Sequence, residues 1–463
     1  TMRHEKTKAE LLYFARADEN KTFAIAFKTL PEDDTGVFHI LEHSVLNGSR
    51  RFPVREPFVN LLQSSMQTFL NAMTYPDKTV YPVCSRNDKD FHNLMEVYLD
   101  AVFCPAIYEK PQIFMQEGWH YEFDSEDAEP YYNGVVYSEM KGAFSDVSEL
   151  METESMRLLF PDSSYGFVSG GHPESIPKLT YEQFIANHKR YYHPSNARIF
   201  LDGKMDIDEI LRYIDGEYLS KYDYRAPDFD FTVQKQVVGE KTVSYSVKPG
   251  EEAKAHMVFS KLLCAHDEPE KVLAANVLAG SNEAPLKRTF LEQALCQDIS
   301  LQVNDGIFQP YITLTIRNTE QEKFAQVEDC LRSSVQDILS GGLDREALLA
   351  ELERMAFTSR EIEEPYGLIL GLTALDGWLY GDDPLTYIET AGIYDALRQK
   401  ADTGYFADLL REMLGDTRTL CKVCLLPSET KAQEDQQAEK ARLEADIARW
   451  DHAAREKAYA DFQ

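Results

Sequence analysis

The chain is predicted to be an α+β protein of two homologous domains, each a largely antiparallel sheet covered by helices, with a helical connector after them. Its 463 residues exceed what one ordinary core accommodates, so two domains of about 200 residues each are expected. Apolar segments of period two alternate with segments of helical spacing. A stretch in the second half also repeats one in the first at an offset of 271 − 39 = 232 positions. The expected boundaries are 1–240 and 241–427 for the domains and 428–463 for the connector.

In chain order, Ala9 to Ala15 and Thr22 to Thr29 read as a hairpin around Asp18-Glu19-Asn20, with Phe23, Ile25 and Phe27 on one face. An apolar stretch opened by Thr35-Gly36 and closed by Asn47-Gly48 reads as a helix. Met66 to Thr74 and Thr79 to Cys84 form a second hairpin, turned by Tyr75-Pro76-Asp77-Lys78, where proline suits a type I turn. Phe91, Leu94, Met95, Tyr98 and Val102 mark an amphipathic helix whose apolar face belongs to the core. In the second half, Val272 to Ser281 aligns with Ile40 to Ser49, and the strand Thr419 to Leu426 corresponds to Arg198 to Gly203. From Ser428 onward Ala, Glu, Lys, Gln and Arg dominate, with scattered Leu443, Ile447, Trp450, Tyr459 and Phe462. A helix polar on nearly all sides bridges domains or awaits a partner.

The chemistry concentrates in His39-Ile40-Leu41-Glu42-His43. On a helix, residues four apart share a face, so both imidazoles aim at one spot and Glu42 lies beside His39. Zinc takes imidazole nitrogen and carboxylate oxygen at about 2.0–2.2 Å, and a catalytic zinc uses three protein ligands and leaves a fourth position for water. This residue order is that of the inverted zincins, with Glu42 as the base that takes a proton from water. The alternative is a helix with two buried, hydrogen-bonded histidines. The third ligand would be a carboxylate on another element, and 78 acidic residues leave its identity open from spacing alone.

The net charge of −30 argues against a nucleic-acid partner, which would need clustered Lys and Arg. No apolar run approaches the 18 or so residues that span a bilayer, so no membrane partner is expected, and no secretory signal is visible. Seven scattered cysteines, an odd number, fit reduced thiols in a cytoplasmic compartment, or in an organellar matrix in a eukaryote. Cys421-Lys422-Val423-Cys424, the one close pair, sits in strand-like surroundings and is read as structural.

Several long runs, in order, resemble the presequence protease branch of the pitrilysin-like, or insulinase, metallopeptidases (M16) and specifically its N-terminal half. They are Thr35-Gly36-Val37-Phe38 through Ser49-Arg50, Pro53-Val54-Arg55-Glu56-Pro57-Phe58, Phe69 to Lys78, Gly118-Trp119-His120-Tyr121-Glu122, Gly134 to Gly142, and Tyr192-His193-Pro194-Ser195-Asn196-Ala197. The resemblance is dense over roughly the first 200 residues. It implies a zinc-dependent oligopeptidase with zinc held by His39, His43 and Glu139 and Glu42 as general base. The interval of 139 − 43 = 96 residues suits this branch, whose insertion before the Glu139 helix would fall at Asp124 to Pro130. Glu117 resembles the family's second acid, which would hold an imidazole in its metal-binding tautomer; otherwise it is a solvated helix carboxylate. Asn71 and Ala72 resemble the strand on which the family lays its substrate, a backbone grip that makes side-chain sequence matter little; otherwise they belong to an ordinary hairpin. Ser169-Gly170-Gly171-His172-Pro173 reads as a tight loop, and His172 is not taken as a ligand.

Where His39, Glu42 and His43 stand, the second copy has Lys271, Ala274 and Ala275, so only the first domain would carry metal. The implied partners are unfolded peptides and a C-terminal half of the same enzyme. That half supplies the family's substrate-binding Arg and Tyr, which nothing here matches. The chain is therefore expected to bind zinc and to cleave poorly alone. Two other readings stay open: a catalytically inert peptide-binding or assembly half, and non-peptidase zinc chemistry on a small molecule.

Overall fold

The computed structural model describes residues 1–54 and 57–462 and the backbone of Pro57 and Val59; Arg55 and Glu56 of the Pro53 to Phe58 run lie outside the described residues, as does Gln463 of the connector. The first half contains β1 (Met2–Arg3), β2 (Glu10–Phe14), β3 (Lys21–Lys28), α1 (Val37–Val45), α2 (Pro57–Ser64), β4 (Gln67–Leu70), β5 (Met73–Thr74), β6 (Lys78–Ser85), α3 (Asp88–Phe103), α4 (Gln112–Glu117), β7 (His120–Glu122), β8 (Tyr131–Asn133), α5 (Val135–Ala143), α6 (Val147–Leu159), α7 (Tyr181–Tyr191), β9 (Ala197–Asp202) and α8 (Ile207–Glu217). The second half contains β10 (Glu240–Ser246), β11 (Ala255–Leu262), α9 (Pro269–Glu292), β12 (Asp298–Asn304), β13 (Tyr311–Thr319), α10 (Phe324–Gly341), α11 (Arg345–Thr358), α12 (Tyr366–Trp378), α13 (Ala391–Lys400), α14 (Tyr405–Leu414) and β14 (Cys421–Ser428). The chain closes with α15 (Lys431–Ile447) and α16 (His452–Phe462).

The α+β class holds, and the two large sheets share one plan. The first runs β1-β2-β9-β3-β6-β4, with β5 also on β6; the second runs β10-β14-β11-β13-β12. In both, the first strand of the shared plan pairs parallel with the last, β2 with β9 and β10 with β14, and the remaining pairs are antiparallel.

The expected first hairpin is corrected. Its two segments are strands, β2 and β3, but β9 enters between them, pairing parallel with β2 and antiparallel with β3. The second hairpin forms as expected, with Met73 opposite Val80 and Thr74 opposite Thr79. Asn71 and Ala72 fall in a break between β4 and β5, where the Asn71 carbonyl accepts from Tyr98 Oη at 3.0 Å. They are edge residues and not part of a continuous strand.

Each half covers the other's sheet. Leu370, Ala374, Leu375 and Trp378 of α12 pack on Leu12, Ala24, Ala26, Val80 and Phe200 of the first sheet. Reciprocally, Met151 of α6 packs on Tyr245, Val258, Val423 and Leu425 of the second. Because helices cover both faces, Ala24 and Ala26 are buried along with Phe23, Ile25 and Phe27. Cys421 and Cys424 are buried free thiols in β14. Among the described residues no helix is long and apolar enough to cross a membrane.

Candidate metal centre

Helix α1 buries Val37, Phe38, Ile40, Leu41, Ser44 and Val45, which leaves His39, Glu42 and His43 on its open face. The imidazole centroids are 5.0 Å apart. His39 Nδ1 donates to the Gly170 carbonyl at 2.9 Å. His43 Nδ1 donates to Glu117 Oε2 at 3.3 Å, and Gln116 Nε2 donates to the other oxygen at 2.9 Å. With both Nδ1 atoms committed, both Nε2 atoms are free to ligate. Helix α5 brings Glu139 opposite them, its Oε2 lying 3.5 Å from His39 Nε2 and 3.7 Å from His43 Nε2.

The three donor atoms all lie within 4.8 Å of one another. Ligand atoms on a tetrahedral ion at about 2.0–2.2 Å sit roughly 3.4 Å apart, so the set fits a zinc-sized cation. Burial alone would lower the His43 pKa; the Glu117 hydrogen bond and the charges of Glu42 and Glu139 outweigh it and raise it. Glu42 is aimed by Thr74, whose Oγ1 donates to Glu42 Oε2 at 2.8 Å. Thr74 is in β5, which pairs with β6.

His39, Glu42, Glu139, Asn71 and Ala72 line one cavity of about 1040 Å³, whose opposite wall comes from Asn304 to Ile307 of the second half. At its lining the two halves meet directly, where Lys78 Nζ donates to the Gly306 carbonyl at 2.7 Å. Glu117 is buried against the site rather than solvated. In the second half, Ala274 and Ala275 are buried in α9, and Lys271 pairs with Glu412 at 2.7 Å. That position holds no ligating group.

Two participants escape sequence reasoning. Gly170, within the run read only as a tight loop, contributes its carbonyl. Thr74 lies inside a quoted run, yet nothing in its spacing links it to Glu42.

Residues 30–141 match the family described as insulinase (peptidase family M16), and residues 178–355 match the peptidase M16 inactive domain. The first match contains all three donors and Glu42; the second contains the copy without them. Protein HypA of Clostridium perfringens is 42% identical over 90% of this chain and 44% of its own length. Presequence protease 1, chloroplastic/mitochondrial, of Arabidopsis thaliana is 35% identical over 96% of this chain and 43% of its own. The chain thus spans less than half the length of these relatives. In fold it is similar to the first half of the periplasmic protease PqqL from Escherichia coli, with TM-score 0.65, 15% identity, and 96% and 95% of the two chains covered. Against the whole PqqL it covers 51% of that chain.

Proposed function

We propose, from the premise that this chain belongs to the insulinase-like M16 peptidase family, that it is the zinc-carrying half of an oligopeptidase, with residues 1–240 as the metal domain, 241–427 as its metal-free copy and 428–463 as the connector toward a C-terminal half. The observation that carries this reading is the convergence of His39, His43 and Glu139 on one point with Glu42 aimed beside it.

His39, His43 and Glu139 would hold the metal, with Gly170 and Glu117 fixing the imidazole tautomers. Zinc, when bound, supplies a Lewis acid that polarises a carbonyl and makes water acidic near neutral pH. Glu42 takes the proton from the attacking water and returns it to the departing amine, so proton and leaving group balance. A peptide lies along the edge at Asn71 and Ala72, held through its backbone. Unfolded peptides are therefore the substrate class.

Hydrolysis of a fluorogenic peptide, with and without chelator, tests the reading. The isolated chain should bind zinc and turn over poorly, and a separately supplied C-terminal half should restore the rate, because oxyanion stabilisation usually provides the largest share of the barrier reduction. Full turnover by the chain alone would defeat the half-enzyme reading. Failure of Glu42→Gln to change the restored rate would favour the inert peptide-binding half.

A further inference from the structure

The polar helix α15 does not hang free. Glu439, Arg442 and Asp446, spaced three and four apart, form one stripe on the helix, and each reaches an element beside the metal centre. Glu439 accepts from Lys141 Nζ at 2.7 and 2.8 Å and from Tyr137 Oη at 3.2 Å. Lys141 and Tyr137 flank Glu139 on α5. Asp446 accepts from Tyr132 Oη at 2.8 Å, on the strand that leads into α5. Arg442 Nη1 donates to Glu174 Oε1 at 3.0 Å, and Glu174 lies four residues after Gly170, whose carbonyl holds His39. Leu443 packs against the first core beside this stripe. Beyond α15, Trp450 sits edge-on to Tyr121 at 4.8 Å, and Arg455 donates to the carbonyls of Glu126 and Ala128 in the Asp124 to Pro130 segment.

We propose that α15 is a clamp on the metal centre: Glu439 and Arg442 are positioning residues that hold, from one helix, the element bearing Glu139 and the loop bearing the Gly170 carbonyl. A lone exposed ion pair contributes little. Here one carboxylate serves both a lysine and a buried tyrosine, and the second pair anchors the loop that carries the Gly170 carbonyl, so lifting α15 loosens two supports together. Coupling is reciprocal: if a docked α15 favours metal, bound metal favours docking of α15. The clamp rests on the metal-binding reading of His39, His43 and Glu139.

The experiment measures zinc affinity of the whole chain by chelator competition and, separately, the visible absorption of bound Co²⁺. Arg442→Glu, alone and with Glu439→Gln, should weaken zinc binding about fivefold or more and alter the Co²⁺ spectrum. Adding Glu174→Arg to Arg442→Glu should restore both. Zinc should also slow amide hydrogen exchange across residues 431–447. Wild-type affinity in the variants would overturn the clamp, as would zinc-independent exchange in α15 or weakened binding that the charge swap does not rescue. If the unaltered chain bound no zinc, the metal reading itself would fall; if it bound zinc while the variants behaved the same, only the clamp would.

Discussion

A carboxylate serves as a base only when something aims it, and Thr74 Oγ1 holds Glu42 Oε2 through a 2.8 Å hydrogen bond, which on the proposed reading is what poises Glu42 beside the metal. Hydrogen bonds to charged groups are worth about 1.5–3 kcal/mol, so Thr74→Val should lower kcat of the complemented enzyme about 10- to 100-fold with zinc content unchanged, and Thr74→Ser should restore it. Steady-state kinetics beside metal analysis checks this. Glu117 acts on His43 in the same manner, and Glu117→Gln should weaken zinc binding about 10- to 100-fold, read by chelator competition. Glu42→Gln should retain zinc and lose about 10²–10⁴ in rate. His39, Glu42 and His43 were readable because a helix puts neighbours four apart on one face, a local rule. Glu139 and Glu117 needed the resemblance, since 96 and 74 residues separate them from His43 and no local rule spans that distance. Thr74 was not readable at all, because its contact with Glu42 exists only once a strand edge is laid over α1.

At the scale of elements, α1 is entered through Gly36, with φ 68°, and a Cβ there would lie 2.6 Å from the Gly170 carbonyl oxygen. Left-handed backbone costs a non-glycine residue about 1–2 kcal/mol, and the clash would push away the oxygen that holds His39. Gly36→Ala should therefore lower the melting temperature and zinc affinity together; a lower melting temperature with unchanged affinity would free the Gly170 carbonyl of the role given to it. Strands β2 and β3 were foreseeable from period-two patterning and β5 and β6 from the Tyr75-Pro76-Asp77-Lys78 turn between them. Their partners were not equally so: β5 and β6 meet through a short turn, whereas β2 and β3 admit β9, which arrives more than 160 residues later. The pleat dictates which side chains share a face but says nothing of which strand lies alongside. The same limit hid α12, whose packing explains why small Ala24 and Ala26 alternate with the larger Phe23, Ile25 and Phe27 of β3.

For the whole molecule, buried His188 and half-buried Asp376 set opposing pH trends. His188 is buried, with Nε2–H donating to the Val102 carbonyl at 3.0 Å and Nδ1 accepting from Tyr108 Oη at 2.7 Å, and burial lowers its pKa to about 4. Between pH 4 and 6.5 the folded chain binds fewer protons there than the unfolded chain, so stability falls as pH falls through that window. Asp376, at the wall of the cavity, is raised to about 7 by burial, opposed by Lys78 and reinforced by Asp305 and Asp77. Between pH 3.8 and 7 the folded chain binds more protons at Asp376, so its contribution falls as pH rises through that window. Asp376→Asn should accordingly stabilise by roughly 1–3 kcal/mol at pH 8 and hardly at all at pH 4, seen in melts at both values. The order of residues alone was enough for the α+β class, for the helix that sets His39, Glu42 and His43 on one face, and for the lack of ligating side chains at Ala274 and Ala275, since these follow from side-chain period and from which residues can donate to a cation. The fold had to supply the rest: the convergence of Glu139 on the two imidazoles, the carbonyl behind His39, the helix each half lays over the other's sheet, and the contacts of α15 with α5 and Glu174. All of these are contacts between segments far apart in the chain, and only the packing of a complete core brings such segments within a few ångströms.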